Sequence, residues 1–365
     1  MPLTRLIPIL DGLIDDGRLA GWVAGIHEPG MTRIVTAGRR HLDGPTMDED
    51  SLFALTSSTK PIAGALALRL VELGALAMDD PVNPWLPELA GMKVLVHPDG
   101  PLDNTVPAER PITLRHLLTM TPGFGWVREG GPLQAAMEVQ HLGPGPFAPP
   151  LRPDEYLARL GDLPLANQPG ELWRYHTSSD VLGILLSRAT GRSVSDLLEE
   201  HVTGPLKMAD TGFTGDPARL TTVYDSGPAG ELVPFRVPDR YLVSPPQFES
   251  LAAGMVASAP DYLRFLAALA NDGAPILEVA SALAMRTDQL TPQQRLGAQG
   301  TLEEGCGWGH HVEVRPDHSI GWAGGFGTIG YANPRQGRAA VLFTAKSVGS
   351  AAVHTAFDAF WSVLD

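Results

Sequence analysis

Lysine is almost missing from this chain of 365 residues. Four of its 27 cations are Lys60, Lys93, Lys207 and Lys346, and the rest are arginines. Positive charge as a whole is short, with 41 Asp and Glu giving a formal net charge of −14. No basic run approaches the five to eight residues that track a phosphate backbone, so nucleic acid is not an expected partner. The single cysteine, Cys306, excludes an internal disulfide and removes any need for an oxidising compartment. Long apolar runs are missing too: the first twenty residues hold Asp11, Asp15 and Asp16, and their longest apolar stretch is Leu6 to Leu10. That is too short for a signal peptide or a membrane span, and a cytoplasmic location is expected.

Several chemical signatures are absent as well. There is no G-x-S-x-G elbow, no H-E-x-x-H and no G-x-x-x-x-G-K-[ST], so an α/β-hydrolase, a zincin and a P-loop enzyme each lack their main signal. His310, His311 and His318 have no carboxylate or cysteine at regular spacing, so no metal and no cofactor are expected.

What is present is a large apolar inventory. Hydrophobic residues make up 44% and charged residues 19%, which excludes a disordered chain, and 40 glycines and 33 prolines spread along the sequence imply many turns and ordered loops. The length exceeds what one core usually spans and predicts two lobes. Leu3, Leu6, Ile7, Leu10, Leu13 and Ile14 recur at helical spacing, as do Val353, Phe357, Phe360, Trp361 and Leu364 at the other end. Residues 21–27 and 33–37 read as a hairpin about Pro29-Gly30, and residues 327–332 and 339–344 as a second about Asn333 to Gly337. Strands from both ends are therefore expected in one antiparallel sheet covered by terminal helices, formed by 1–78 and 246–365. Residues 79–245, with helical patterns separated by Gly/Pro-rich stretches, predict a mostly helical second domain.

Three motifs carry chemistry. Ser57-Ser58-Thr59-Lys60 fits S-x-x-K where a strand-like run, Leu52 to Leu55, gives way to an apolar helix. Three residues is about one helical turn, which places the Ser57 hydroxyl beside the Lys60 amine at a helix N-terminus. The apolar run Ile62 to Leu68 desolvates that amine and lowers its pKa toward that of a useful base. The second motif places Tyr175, in Pro169 to Thr177, at a loop-to-helix junction, where a neighbouring cation would let its phenol exchange protons. The third, Gly321-Trp322-Ala323-Gly324-Gly325-Phe326-Gly327, lies on the C-terminal sheet edge, where glycines let a substrate approach the backbone and a strand N–H could join that of Ser57 in an oxyanion hole.

With these residues the chain resembles the serine β-lactamase and penicillin-binding protein superfamily, most closely class C β-lactamases and the family VIII carboxylesterases. The resemblance covers almost the whole chain and includes Met78 to Val82, Ile112 to Leu118 and Ala259 to Leu263. It implies an α+β, β-lactamase-like fold with the active site between the two domains. It also implies Ser57 as nucleophile, Lys60 as its partner, and Tyr175 as general base for acylation and acid for the leaving group. The backbone N–H groups of Ser57 and Gly325 would form the oxyanion hole.

Two departures bear on substrate. Thr177 stands where lactamases and peptidases of the superfamily carry Asn, so it would serve the lysine only in part and recognise an acylamino group poorly. Trp322-Ala323-Gly324 stands where they carry Lys/His-Thr-Gly, and losing that cation costs a charge-assisted bond of about 1.5–3 kcal/mol to a substrate carboxylate. The expectation is a cofactor-independent serine carboxylesterase for small to medium esters, with Trp322 and Trp126 lining an apolar pocket. The alternatives are a β-lactamase, D-Ala carboxypeptidase, amidase or transacylase, with Lys346 holding an acidic substrate, and last a non-catalytic protein on the same scaffold.

Overall fold

The computed structural model describes residues 3–364. Alternating side chains on its first strand divide two hydrophobic layers. Strand β1 (Gly21–Glu28) follows helix α1 (Leu3–Asp15) and pairs with β2 (Met31–Gly38). Trp22, Ala24 and Ile26 face one way, and Val23 faces the other. A short strand β3 (Leu52–Ala54) leads into helix α2 (Thr59–Glu72), and helix α3 (Thr177–Thr190) follows much later in the chain. Strand β4 (Val256–Ser258) pairs with β3 and opens helix α4 (Ala259–Ala270), whose start is capped by the Ser258 side chain on the N–H of Asp261. Strands β5 (Gly307–Trp308), β6 (Glu313–Val314), β7 (Ile320–Gly324), β8 (Thr328–Asn333) and β9 (Arg338–Phe343) precede the last helix, α5 (Ala351–Leu364).

The seven-stranded sheet runs β2-β1-β9-β8-β7-β6-β5, antiparallel throughout, so the first and last strands of the chain are neighbours as expected. Helices α1 and α5 cover one face: Leu6, Leu10, Leu13, Phe360 and Val363 meet Trp22, Ala340 and Leu342. Helix α4 covers the other through Tyr262, Leu263 and Leu266, near Val341 and Phe343. A side chain at Gly330 would collide with Tyr262 and Leu266, so this glycine permits the close approach of α4 to the sheet.

The middle of the chain carries helices at Leu114–Leu118, Pro132–Val139, Pro153–Gly161 and Val194–Leu198 besides α3. Two small ribbons, Lys93–Leu95 with Thr105–Pro107 and Tyr224–Ser226 with Leu232–Pro234, were not apparent as strands, because three-residue segments are too short to display alternation. Among the described residues no helix is long and apolar enough to cross a membrane.

Candidate active site

Ser57 lies in a single 3-10 turn, Thr56–Ser58, between β3 and α2. The preceding Thr56 has φ +46°, a left-handed conformation that a β-branched residue adopts only under constraint. The constraint comes from the sheet. Thr328 Oγ1 at the start of β8 donates to the Leu55 carbonyl at 3.0 Å and shares a 3.0 Å bond with Ser58 Oγ. From α4, the Tyr262 hydroxyl donates to the Ser58 carbonyl at 2.9 Å. A Cβ on Gly324 would collide with the Leu55 carbonyl, Thr56 Oγ1 and Thr328 Oγ1, so the end of β7 reaches the nucleophile turn only because that residue is glycine. At Gly325 an added Cβ would meet only Thr56 Oγ1, at 3.9 Å.

One helical turn after Ser57, Lys60 is fully buried. Its Nζ donates to Ser57 Oγ at 2.9 Å and to the Ala252 carbonyl at 2.7 Å, and lies 4.5 Å from the centre of the Tyr175 ring. Burial pushes the amine down to about 7, against an upward pull from the Asp180 carboxylate. Tyr175 moves the other way: burial raises its phenol above the ordinary tyrosine range, opposed by bonds to Ser57 and Trp322. At neutral pH the phenol is therefore protonated while the amine is poised near half-protonation. The Trp322 indole N–H donates to the Tyr175 hydroxyl at 2.5 Å, which occupies a lone pair and leaves the phenolic proton to be donated elsewhere.

An aromatic box fixes that phenol. Trp173 stacks on Tyr175 at 5.4 Å, while Trp308 meets Trp173 and Trp322 edge-on at 5.5 and 5.0 Å. His176, immediately after Tyr175, has φ +85°, so a constrained residue precedes the serine and another follows the tyrosine. Ser57 and Tyr175 open into a cleft of about 600 Å³ whose walls include Trp126, Trp322, Ala323, Gly324 and Gly325. The structure thus brings Ser57, Lys60, Tyr175, Trp126 and the Trp322 to Gly325 segment together.

Two other residues expected at the site lie elsewhere. Thr177 is fully buried and does not line the cleft, and the hydrogen bonds of Lys60 go to Ser57 and Ala252 instead. Lys346 does not line the cleft either. The left-handed Ala345, φ +49°, turns the chain after β9, and Lys346 bridges to Tyr224, where its buried Nζ has no hydrogen-bond partner. Burial lowers its pKa, opposed by Asp225. The cation in the cleft wall is Arg315, which pairs with Glu303 at 3.0 Å and Glu313 at 3.4 Å and stacks over the Trp361 ring at 3.9 Å. Among the described residues no group of three or more His, Cys, Asp and Glu could hold a metal ion.

Sequence reasoning missed Arg315, Trp308 and Asp180. Asp180 carries a usable signal, being the only acidic residue in the otherwise apolar and small stretch Thr177 to Leu186.

Fold and site together define a serine acyl-transferring scaffold, and comparison with known proteins agrees. The chain belongs to the family described as Beta-lactamase, whose model matches residues 9–360. It is 33% identical to Esterase EstB of Burkholderia gladioli, over 93% of this chain and 89% of that one. It is 34% identical to Protein Rv1367c of Mycobacterium tuberculosis (strain ATCC 25618 / H37Rv), over 88% and 84%. The solved structure of EstCE1, described as a hydrolase with promiscuous acyltransferase activity, superposes with a TM-score of 0.85 at 25% identity, covering 99% of this chain and 98% of that one.

Proposed function

We propose that this protein is a cofactor-independent serine carboxylesterase that cleaves small to medium esters through an acyl-enzyme on Ser57. The observation that carries the reading is the hydrogen-bonded Ser57 and Lys60 pair beside a protonated Tyr175, with an indole, Trp322, at the position where a cation would hold a substrate carboxylate. Neutral Lys60 takes the Ser57 proton as Oγ attacks the ester carbonyl, and the N–H groups of Ser57 and Gly325 receive the oxyanion. Tyr175 gives its proton to the departing alkoxide and recovers one from the Lys60 ammonium. Water then attacks the acyl-enzyme with Lys60 again accepting the proton, and as the tetrahedral intermediate collapses the Lys60 ammonium gives that proton to the departing Ser57 Oγ, which restores the hydroxyl and releases the acid. This ordering departs from the expectation of Tyr175 as general base for acylation: Lys60 Nζ lies 2.9 Å from Ser57 Oγ with its pKa depressed by burial, while the Tyr175 oxygen already accepts from Trp322 and its phenol is raised by burial, so Lys60 takes the role of base and Tyr175 that of donor.

Esters suit this site because an alkoxide leaves with less assistance than an amide nitrogen. Acidic β-lactams and peptides are disfavoured because Arg315, the cleft cation, is already paired with two carboxylates, and Lys346 lies outside the cleft. The reading includes two lobes, 1–78 with 246–365 and 79–245, meeting at the cleft, a cytoplasmic location and no nucleic-acid partner. A p-nitrophenyl ester series tests the activity. Wild type should turn over the short and medium chains, and Ser57→Ala should lose at least about a thousandfold in kcat. Absence of wild-type turnover, or an active Ser57→Ala, rejects the proposal.

A further inference from the structure

The buried carboxylate of Asp180 has no part in the steps above, yet it is connected to them. It lies in the first turn of α3, five residues after Tyr175, and is 2% exposed. Its Oδ1 accepts from Ser250 Oγ at 2.6 Å and from the Ala252 N–H at 3.3 Å. Ser250 Oγ in turn accepts from the Ala253 N–H at 3.2 Å. That N–H belongs to the same peptide group as the Ala252 carbonyl, which accepts from Lys60 Nζ at 2.7 Å. A continuous chain therefore runs from the Lys60 ammonium through one peptide unit and one hydroxyl to a carboxylate, and every donor in it points toward Asp180.

We propose that Asp180 is a positioning residue that sets the protonation of Lys60 through the Ser250 hydroxyl and the Ala252-Ala253 peptide. The carboxylate polarises the hydroxyl, the hydroxyl polarises the peptide, and the peptide presents an electron-rich carbonyl to the ammonium. Each link is buried: Ser250 and Ala252 are wholly inaccessible and Ala253 is 1% exposed, so water does not screen the coupling. The other ionisable groups around the pair do not replace Asp180. Tyr175 faces Lys60 as a protonated phenol, and His176 and His311 near Lys60 are held neutral by burial. Tyr156, near Asp180, is held protonated by burial. The opposed effects on the two ends agree with this geometry, since Asp180 draws the Lys60 pKa up while Lys60 draws that of Asp180 down. The two titrate as a pair. The device keeps the amine from becoming permanently neutral, so that after accepting the serine proton it remains a stable ammonium able to pass that proton on.

The inference rests on Lys60 being the base for Ser57, and the test separates the two claims. The rate at which a fluorophosphonate adds to Ser57, followed by intact-protein mass against pH, rises as Lys60 loses its proton and needs no ester turnover. Asp180→Asn keeps an oxygen acceptor for Ser250 and Ala252 but removes the charge. Its midpoint should move to lower pH by about one unit. Ser250→Ala breaks the chain at its hydroxyl and should move the midpoint the same way by less. A midpoint that stays in place in both variants, whatever happens to the plateau, reduces Asp180 to a brace for the 250–253 loop and overturns the inference, as does movement to higher pH. Where one variant loses the wild-type circular dichroism, the other alone decides by the same criterion. No adduct on wild-type Ser57 would instead overturn the esterase reading.

Discussion

Trp322, which the resemblance sets where the superfamily's lactamases carry a cation, also makes a hydrogen bond of its own. Its N–H holds the Tyr175 hydroxyl by a lone pair, so a residue expected only as pocket lining is also a hydrogen-bond partner of the proposed proton donor. Trp322→Phe keeps most of the ring volume and deletes that donor. A hydrogen bond worth about 0.5–1.5 kcal/mol in the transition state corresponds to about a two- to tenfold fall in kcat. KM should change less, because the apolar wall remains. A fall confined to KM would show that the indole acts on substrate alone. Lys346 makes the opposite point: one residue beyond a left-handed alanine, its side chain leaves the cleft, and no property of Thr344 to Ser347 in the sequence announces that turn.

The turn that carries Ser57 is held by elements from three regions of the chain: β8 through Thr328, α4 through Tyr262, and β7 through the bare Gly324. Gly324→Ala would drive a methyl group into the Leu55 carbonyl and two threonine hydroxyls. Overpacking of this kind typically costs about 1–3 kcal/mol, and here relief of the clash must displace Thr56 and therefore Ser57. The expected outcome is a lower Tm together with a loss of kcat larger than that of Trp322→Phe. Wild-type activity in Gly324→Ala would show that β7 does not position the serine. Thr328→Val tests the same bracing from the other strand: it deletes the bonds of Thr328 Oγ1 to the Leu55 carbonyl and Ser58 Oγ, while Leu55 keeps its bonds from Thr56 Oγ1 and the Ser58 N–H, so about 0.5–1.5 kcal/mol per lost bond is expected.

Much of this scale was legible in the sequence. The two hairpins and terminal helices show their periods, and S-x-x-K reports local helical geometry that needs no tertiary information. The parts that were not legible are those made by backbone groups or by distant residues. Any residue offers a carbonyl, so nothing marks Ala252 as a partner of Lys60. Asp180 was readable as a charge in an apolar helix, but its meaning depends on Ser250, seventy positions away. Thr177 was assigned by its place in a motif, whereas the first turn of α3 leaves it buried and out of the cleft lining.

Across the whole molecule, burial of basic groups sets the response to acid. His116, His310 and His311 are pushed from 6.5 down to about 4, 4 and 3 by burial, so the folded protein keeps them neutral. The unfolded chain takes up these protons near 6.5, so the stability they contribute is complete above that value and is lost as pH falls from 6.5 through about 4. Asp180, raised to about 6 by burial, works in reverse between about 6 and 3.8, as do Asp261 and Glu313, also raised by burial, while His176 and His201, lowered by burial, add to the imidazole side. Tm measured from pH 7 down to pH 5 should therefore decline. A flat profile would mean that these imidazoles find other partners. Lys60, lowered from 10.5 to about 7, adds stability as pH rises across that interval, so the curve should not turn over at neutrality on its account. The seven tryptophans are also unevenly placed. Trp126, Trp322 and Trp361 line the cleft, Trp173 packs on Tyr175, and Trp308 closes the same box. Five of the seven tryptophans thus line the cleft or pack around the Tyr175 ring. Arrival of a ligand and formation of the acylated state become optically observable in the unlabelled protein, on the timescale of a stopped-flow mixing experiment.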